Sequence, residues 1–349
     1  MKTFRLATLI VLFASATSVI LPSCSSAVQG PESRIAMGTL CSVNLYENGR
    51  ASYYERVFSR LYELEGIFSP NIEGSDLYRI NQSAGIEPVL VRRELIIVLQ
   101  RALEYAELSD GLFNPTLGPL INLWGISSDS PAIPGDEEIQ NALSLSNFRN
   151  IIINLEGEDG EGTVFLTEPG MLLDLGAIAK GFIADELAAL IRSFGVNRAI
   201  IDLGGDIFAL GERSVNENWN IGLQDPLDDF GSYLGIIRVS NSAITSSGVY
   251  ERFFISGGIR YHHIISGANG FPANNGYLSV TIISDNAMEA DALSTLVFLL
   301  EPETGMEIIE SIPGVEGIII LEDLRIMLSP GIRDHFTLIN DEYTIDNRH

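Results

Sequence analysis

The hydrophobic positions of this chain switch repeatedly between two periods, and the switching lays out its elements. Residues 35–46 mix alternation with β-branched side chains and predict a first strand. Residues 51–66 turn to helical spacing, with Tyr54, Val57, Phe58, Leu61 and Leu64 on one stripe. After the loop Phe68-Ser69-Pro70-Asn71, Ser75 is placed to cap a short helix through Asn81, and residues 92–108 predict a second amphipathic helix. The next stretch, Phe113-Asn114-Pro115-Thr116-Leu117-Gly118-Pro119-Leu120, sets Gly and Pro among apolar residues and predicts a buried, shaped loop.

A polar linker (127–135) and a short helix (136–143) lead to a hairpin, 151–155 with 163–166, around a solvated acidic tip. Residues 178–194 predict a helix stopped by Gly195. Strands follow at 198–203 and 206–210 through Gly204-Gly205, then at 219–223, 234–239, 243–245 and 278–284. Helices at 287–300 and 304–311 precede the last strands, 317–321 and 325–328. No fixed-period repeat occurs, which excludes a solenoid. Strands gather in clusters and hairpins more than they alternate with helices, so the fold class is α+β with mixed and antiparallel sheets, not a doubly wound sheet.

With 349 residues, 46% of them hydrophobic, the chain can bury a large core in one domain or two lobes. Its net charge of −25 argues against nucleic acid or an anionic membrane surface as partner, since a phosphate backbone needs a basic face. A phosphate-bearing ligand must then be held by local devices. The start of the chain reads as export: Lys2 and Arg5, an apolar run over 6–13 too short for a span of ~20 residues, then Leu21-Pro22-Ser23-Cys24. That ending resembles a bacterial lipobox, although Pro22 is atypical. It implies a signal peptide at 1–23, acylation of Cys24, a tether at 24–34 and a folded domain at 35–349 on the periplasmic face of the inner membrane; an ordinary cleaved signal is the alternative. Cys41 would be the one remaining thiol, so no internal disulfide is expected.

Lysine occurs only as Lys2 and Lys180. Lys180 closes Asp174-Leu175-Gly176-Ala177-Ile178-Ala179-Lys180-Gly181 at the mouth of a helix, where unpaired N–H groups and the helix dipole favour an anion. It also suits the face of an ordinary amphipathic helix. Asp291 and Thr295, four residues apart, put two oxygens on one helix side, a pair that suits Mg²⁺ and is equally common on exposed helices. His262 and His263 offer a general base, and in a strand they point to opposite faces, so one reaches a given site while the other packs. Without a third histidine or cysteine nearby, zinc is not expected. Asp202 and Asp206, around Gly204-Gly205, are either acceptors behind a site or turn residues. No phosphate-binding loop, dinucleotide fingerprint or nucleophile elbow occurs.

Five blocks in order resemble the bacterial FAD:protein FMN transferases: the Asp174–Gly181 motif, Asp202-Leu203-Gly204-Gly205-Asp206, Ser247-Gly248-Val249-Tyr250-Glu251-Arg252, Tyr261-His262-His263-Ile264 and Ala290-Asp291-Ala292-Leu293-Ser294-Thr295. The resemblance spans 37–328. It implies a two-lobed α+β fold with FAD in the cleft, and Mg²⁺ held by the Ala177 carbonyl, Asp291 and Thr295. It further implies FAD contacts from Met37, Leu112, Phe113, Asn114, Asp174, Lys180 and Ile265, with Lys180 also acting on the phosphates. The implied reaction cleaves the FAD pyrophosphate, attaches FMN to a Thr or Ser hydroxyl of an exported acceptor protein, and releases AMP. One histidine, His263 ahead of His262, would take the hydroxyl proton.

Two departures stand out. Asn71 occupies a place where the family often carries tyrosine, so an aromatic platform is missing, and FAD hydrolysis to FMN and AMP becomes a second expectation. Ser266-Gly267-Ala268-Asn269-Gly270 replaces a usual Asp-Pro-x-Thr-Gly, which leaves that loop's shape open. A flavin-binding lipoprotein without chemistry is the third reading.

Overall fold

The computed structural model describes residues 30–155, 160–229 and 231–346. Its centre is a nine-stranded sheet whose order follows the chain: Glu32–Ala36, Thr39–Leu45, Ala199–Leu203, Ile207–Leu210, Ser242–Gly248, Tyr277–Ser284, Glu316–Leu321, Arg325–Leu328 and Thr344–Ile345. Neighbours are antiparallel except the last pair. All eight residues of Tyr277–Ser284 are buried, as a strand flanked on both edges and covered by helix requires. The expected α+β class holds, and two three-stranded sheets complete it, one of Val89–Val91, Gly162–Leu166 and Ile151–Leu155, the other of Phe336–Leu338, Tyr233–Val239 and Trp219–Gln224.

Helices Ala179–Ser193 and Ala287–Phe298 pack on the central strands and on each other. Gly181 lets them meet: a Cβ there would lie 2.2 Å from the Ala287 carbonyl oxygen. The crossing is tied by hydrogen bonds, since Asp185 accepts the N–H groups of Ala287 and Met288 at 3.0 Å each and Asn286 caps the same helix through the Glu289 N–H. Arg60, on helix Ala51–Phe68, reaches Glu94 at 2.8 Å and Glu186 at 2.7 Å, joining three helices. Ser75 caps helix Asp76–Gln82 through the Tyr78 N–H, as its spacing predicts.

Four expectations change. The single strand expected over 35–46 breaks into two that pair through a two-residue turn, because Met37 and Gly38 adopt φ of 52° and 69°. The first of these strands begins at Glu32, inside the stretch read as tether. The glycine-rich segment after Arg252, given no element from sequence, forms a hairpin of Phe253–Ser256 and Ile259–His262. The buried loop holds a short helix, Gly118–Trp124, around which a small second core gathers with Ile139 and Ile265. Cys24 and the export signal lie outside the described residues.

Gly181→Ala should lower stability by roughly 1–3 kcal/mol through overpacking. Gly66→Ala, in a helix with open space at its Cβ, should raise it by about 0.5–1 kcal/mol. Urea denaturation of both variants checks the pair; equal shifts would remove the close-crossing account.

Candidate active site

A cleft of about 1010 Å³ opens where the start of helix Ala179–Ser193, strand Ser242–Gly248, helix Ala287–Phe298 and the 109–118 loop converge. Of the described site candidates named from sequence, all line it except His262 and the two aspartates around Gly204-Gly205, Asp202 and Asp206. Its lining combines apolar side chains, among them Phe68, Leu112, Phe113 and Ile265, with Lys180 and carboxylates.

The 109–118 wall is held by short-range chemistry. The Ser109 hydroxyl donates to the Tyr105 carbonyl at 2.8 Å and accepts the Phe113 N–H at 3.1 Å. Asn114 spends its side chain on the loop: Nδ2 donates to Ser146 at 2.7 Å, and Oδ1 accepts from the Thr116 N–H at 2.8 Å and its hydroxyl at 2.7 Å. Its role here is to shape the wall. The Ser266–Gly270 loop closes against this wall, Gly267 donating to the Leu112 carbonyl at 3.1 Å, while Ser266 and Asn269 supply the turn acceptors. Serine and asparagine thus replace the absent aspartate and proline as loop formers. Asn71 is exposed on the rim, its N–H 3.3 Å from the Ser69 hydroxyl. Met37 donates its N–H to Glu65 Oε1 at 2.5 Å, which anchors a non-glycine residue at positive φ beside the cleft.

The 173–181 segment is fixed from below. Asn81 pairs with both backbone groups of Leu173, at 2.9 and 2.7 Å, and the Asp174 N–H donates to Pro115 at 2.9 Å. Asp174 Oδ1 accepts the Gly176 N–H at 2.8 Å, and burial pushes its carboxyl above the usual range. Lys180 forms an ion pair with Asp206, so the ammonium that the sequence aims at an anion already has a carboxylate partner. Asp291 and Glu251 stand in the same field and help hold Lys180 charged against the cost of burial. Full ionisation would set three carboxylates around Lys180, with Arg252 beside Glu251 the second cation in their field.

The acids register that excess. Burial first, and then Asp206, push the Asp291 carboxyl up, although its Oδ2 accepts the Gly181 N–H at 2.8 Å. Burial pushes Glu251 to about 7, opposed by Lys180. Thr295 Oγ1 lies 3.3 Å from the Ser247 hydroxyl, which also meets Ser294 at 2.9 Å. Ala177, Asp291 and Thr295 face one cleft. Among the described residues no three of His, Cys, Asp and Glu gather as a metal cluster, and Ala177, Asp291 and Thr295 bring together one carbonyl, one carboxylate and one hydroxyl.

The histidines separate as the pleat requires. His262 is 4% exposed, bonded through Nε2 to the Ala273 carbonyl at 2.8 Å and edge-on to Phe298; it is a core residue and does not reach the cleft. His263 lines the cleft, with Nε2 3.9 Å from Glu251 Oε2 and Nδ1 buried without a partner. Burial, and Arg252 beside it, push its ring down to about 3, so it is neutral at pH 7. Asp202 and Asp206 divide as well: Asp202 accepts the Gly205 N–H at 2.8 Å as a turn residue, and Asp206 holds Lys180. Glu251 was given no role from sequence, although it stands in one of the five blocks; only its pairing across the cleft exposes it.

By fold and site the molecule is an α+β protein of the flavin-transferase type. It superposes on the ApbE protein of Thermotoga maritima with a TM-score of 0.78 at 31% identity, covering 87% of this chain and 98% of that one. On the flavin transferase ApbE of Vibrio cholerae the TM-score is 0.76 at 28% identity, covering 87% and 98%. The model of the ApbE family matches residues 37–319, and the chain belongs to that family. Similar curated relatives are an FAD:protein FMN transferase of Treponema pallidum, 37% identical over 325 residues (89% of this chain, 90% of the relative), and one of Klebsiella pneumoniae, 33% identical over 313 residues (90% and 96%).

Lys180→Met leaves Asp206 and Asp291 without their cation and should cost roughly 3–5 kcal/mol at pH 8. The loss should shrink toward pH 5, because carboxyls with raised pKa take up protons as pH falls and need less compensation. Denaturation at the two pH values checks this; an equal loss at both would contradict the cluster's charge balance.

Proposed function

We propose that this protein is an Mg²⁺-dependent FAD:protein FMN transferase, exported and anchored through Cys24 at the periplasmic face of the inner membrane. The observation that carries the reading is the gathering of Ala177, Lys180, His263, Asp291 and Thr295 around one cleft that also has apolar lining. The family membership and the names of its relatives agree with it. Localisation rests on the leader pattern alone.

The residues fit a hard divalent cation. Asp291 is buried beside a second carboxylate, and a carboxyl raised by both is one that a cation would return to its charged form. The Ala177 carbonyl and Thr295 hydroxyl would complete an all-oxygen set. When bound, Mg²⁺ supplies charge neutralisation on the phosphate oxygens.

The chain's own groups supply the rest. The apolar lining takes the ring system, and Lys180, oriented by Asp206, directs its ammonium at the pyrophosphate. An acceptor hydroxyl attacks the FMN phosphorus, the bond to the bridging oxygen breaks, and AMP departs with that oxygen. His263, neutral but weakly basic while buried beside Arg252, is the group placed to take the hydroxyl proton, and Glu251, 3.9 Å away, would strengthen it by stabilising the imidazolium. Asn71 on the rim favours a second activity: without an aromatic platform there, water competes with the acceptor and FAD is hydrolysed to FMN and AMP.

Incubation with FAD and Mg²⁺, with and without a threonine-bearing acceptor, separates the readings through AMP, free FMN and acceptor mass. A covalent FMN adduct supports transfer, AMP without acceptor supports hydrolysis, and intact FAD leaves binding alone. Asp291→Ala should abolish Mg²⁺-dependent AMP release while keeping the fold by circular dichroism; unchanged release removes the metal assignment. Asn71→Tyr should slow hydrolysis and tighten FAD by about 1–3 kcal/mol; faster hydrolysis counts against the platform argument.

A further inference from the structure

The transferase reading requires a polypeptide to reach His263, and one element beside the cleft is built to receive it. The hairpin of Phe253–Ser256 and Ile259–His262 is a separate two-stranded sheet with pairs Phe253↔His262, Phe254↔Tyr261, Ile255↔Arg260 and Ser256↔Ile259. Gly257 and Gly258, at φ of 59° and 82°, make the two-residue turn. In such a hairpin the pair flanking the turn is the hydrogen-bonded one and the next is not. The backbone N–H and C=O of Ile255, and of Phe253 two residues back, therefore point away from the partner strand. The His263 N–H donating to the Arg252 carbonyl at 3.1 Å fits this alternation. Among the described residues no strand pairs with that outer edge.

The two faces of the ribbon differ. Phe254 and Tyr261 stack at 5.2 Å, and Tyr261 stacks in turn on Trp124, which fixes the ribbon to the small second core. Phe253 and Ile255 point to the other face and are 38% and 63% exposed. An open edge with exposed apolar side chains is a template for another strand. Its position supplies the occupant. Glu251, Arg252 and Phe253 line the cleft in succession, whereas none of Ile259, Arg260 and Tyr261 does, so the strand Phe253–Ser256 runs out of the reaction site itself.

We propose that an extended segment of the acceptor protein adds as a third strand to the outer edge of Phe253–Ser256. Its backbone pairs with Phe253 and Ile255, and apolar side chains at alternate positions cover those two residues. At ~3.3 Å per residue, the target hydroxyl sits about three residues along from the position opposite Ile255, over Arg252 and the cleft. The proposal rests on the transferase reading and adds how the acceptor is held.

Ile255→Pro removes the outward N–H and breaks no bond inside the hairpin. Ile255→Ala keeps that N–H, and Arg260→Pro makes the same change on the opposite edge. The probe is a pool of short synthetic peptides with one central threonine and randomised flanks, incubated with FAD and Mg²⁺ and read by mass for FMN adducts. AMP release without peptide serves as the acceptor-independent control. Ile255→Pro should lose about tenfold or more of adduct formation, with FAD binding and control AMP release unchanged and Arg260→Pro like wild type.

Adduct formation by Ile255→Pro at the wild-type rate overturns the docking edge and leaves the transferase reading in place. A wild type that forms no adduct with any peptide overturns both. A wild-type dimer that Ile255→Pro converts to monomer, with adducts unaffected, assigns the edge to a second copy and overturns the proposal. Should Ile255→Pro not fold, hydrogen exchange in the wild type decides: the Phe253 and Ile255 amides must slow when peptide is added, and unchanged exchange refutes the edge.

Discussion

One ion pair organises the active end of this molecule: Lys180 against Asp206, with Asp291 and Glu251 in the same field. A chain of net charge −25 meets a diphosphate badly unless positive charge is concentrated at a point. Yet the lysine placed there is already neutralised by its partner. The cluster as a whole is negative, and its burial raises two of the acids. Such a cluster takes a cation before it takes an anion. That order explains why the proposed Mg²⁺ and the pyrophosphate would enter as a pair, and why a protein this acidic needs no basic surface to hold FAD.

The surrounding fold keeps that cluster in register. Gly181 lets two helices approach to backbone contact, so Asp291 on one can accept the Gly181 N–H of the other. Asp185 satisfies the N-terminal N–H groups of the second helix from the first, which fixes their relative height. On the far side, the Gly204-Gly205 turn approaches Thr39 closely and delivers Asp206 from the sheet. The cleft is thus assembled from three parts of the chain by close contacts that tolerate little side-chain volume.

Much of this is legible in the sequence where the physics is local. Short apolar runs mark the strands flanking Gly204-Gly205, and period-3.6 stripes mark the long helices, because one face of each helix is buried. Adjacency in a strand separates His262 from His263. What escapes depends on distance in the chain or on unusual exposure. Asp206 lies 26 residues from Lys180, and nothing in its own neighbourhood distinguishes an ion-pair partner from a turn residue. The break at Met37 carries a left-handed non-glycine residue, stabilised by Glu65 from another element. The Phe253–His262 hairpin lacks polar and apolar alternation, since one face packs on Trp124 and the other presents apolar side chains to solvent. The roles of individual site residues follow from the family likeness, inside and outside the five blocks, not from spacing.

The most direct test is where the phosphates of FAD lie in crystals of the protein grown with FAD and Mg²⁺. The account predicts the pyrophosphate between the helix start that bears Lys180 and the face that bears Asp291 and Thr295. Phosphates found away from Lys180 and Thr295, with those side chains undisturbed, would contradict it.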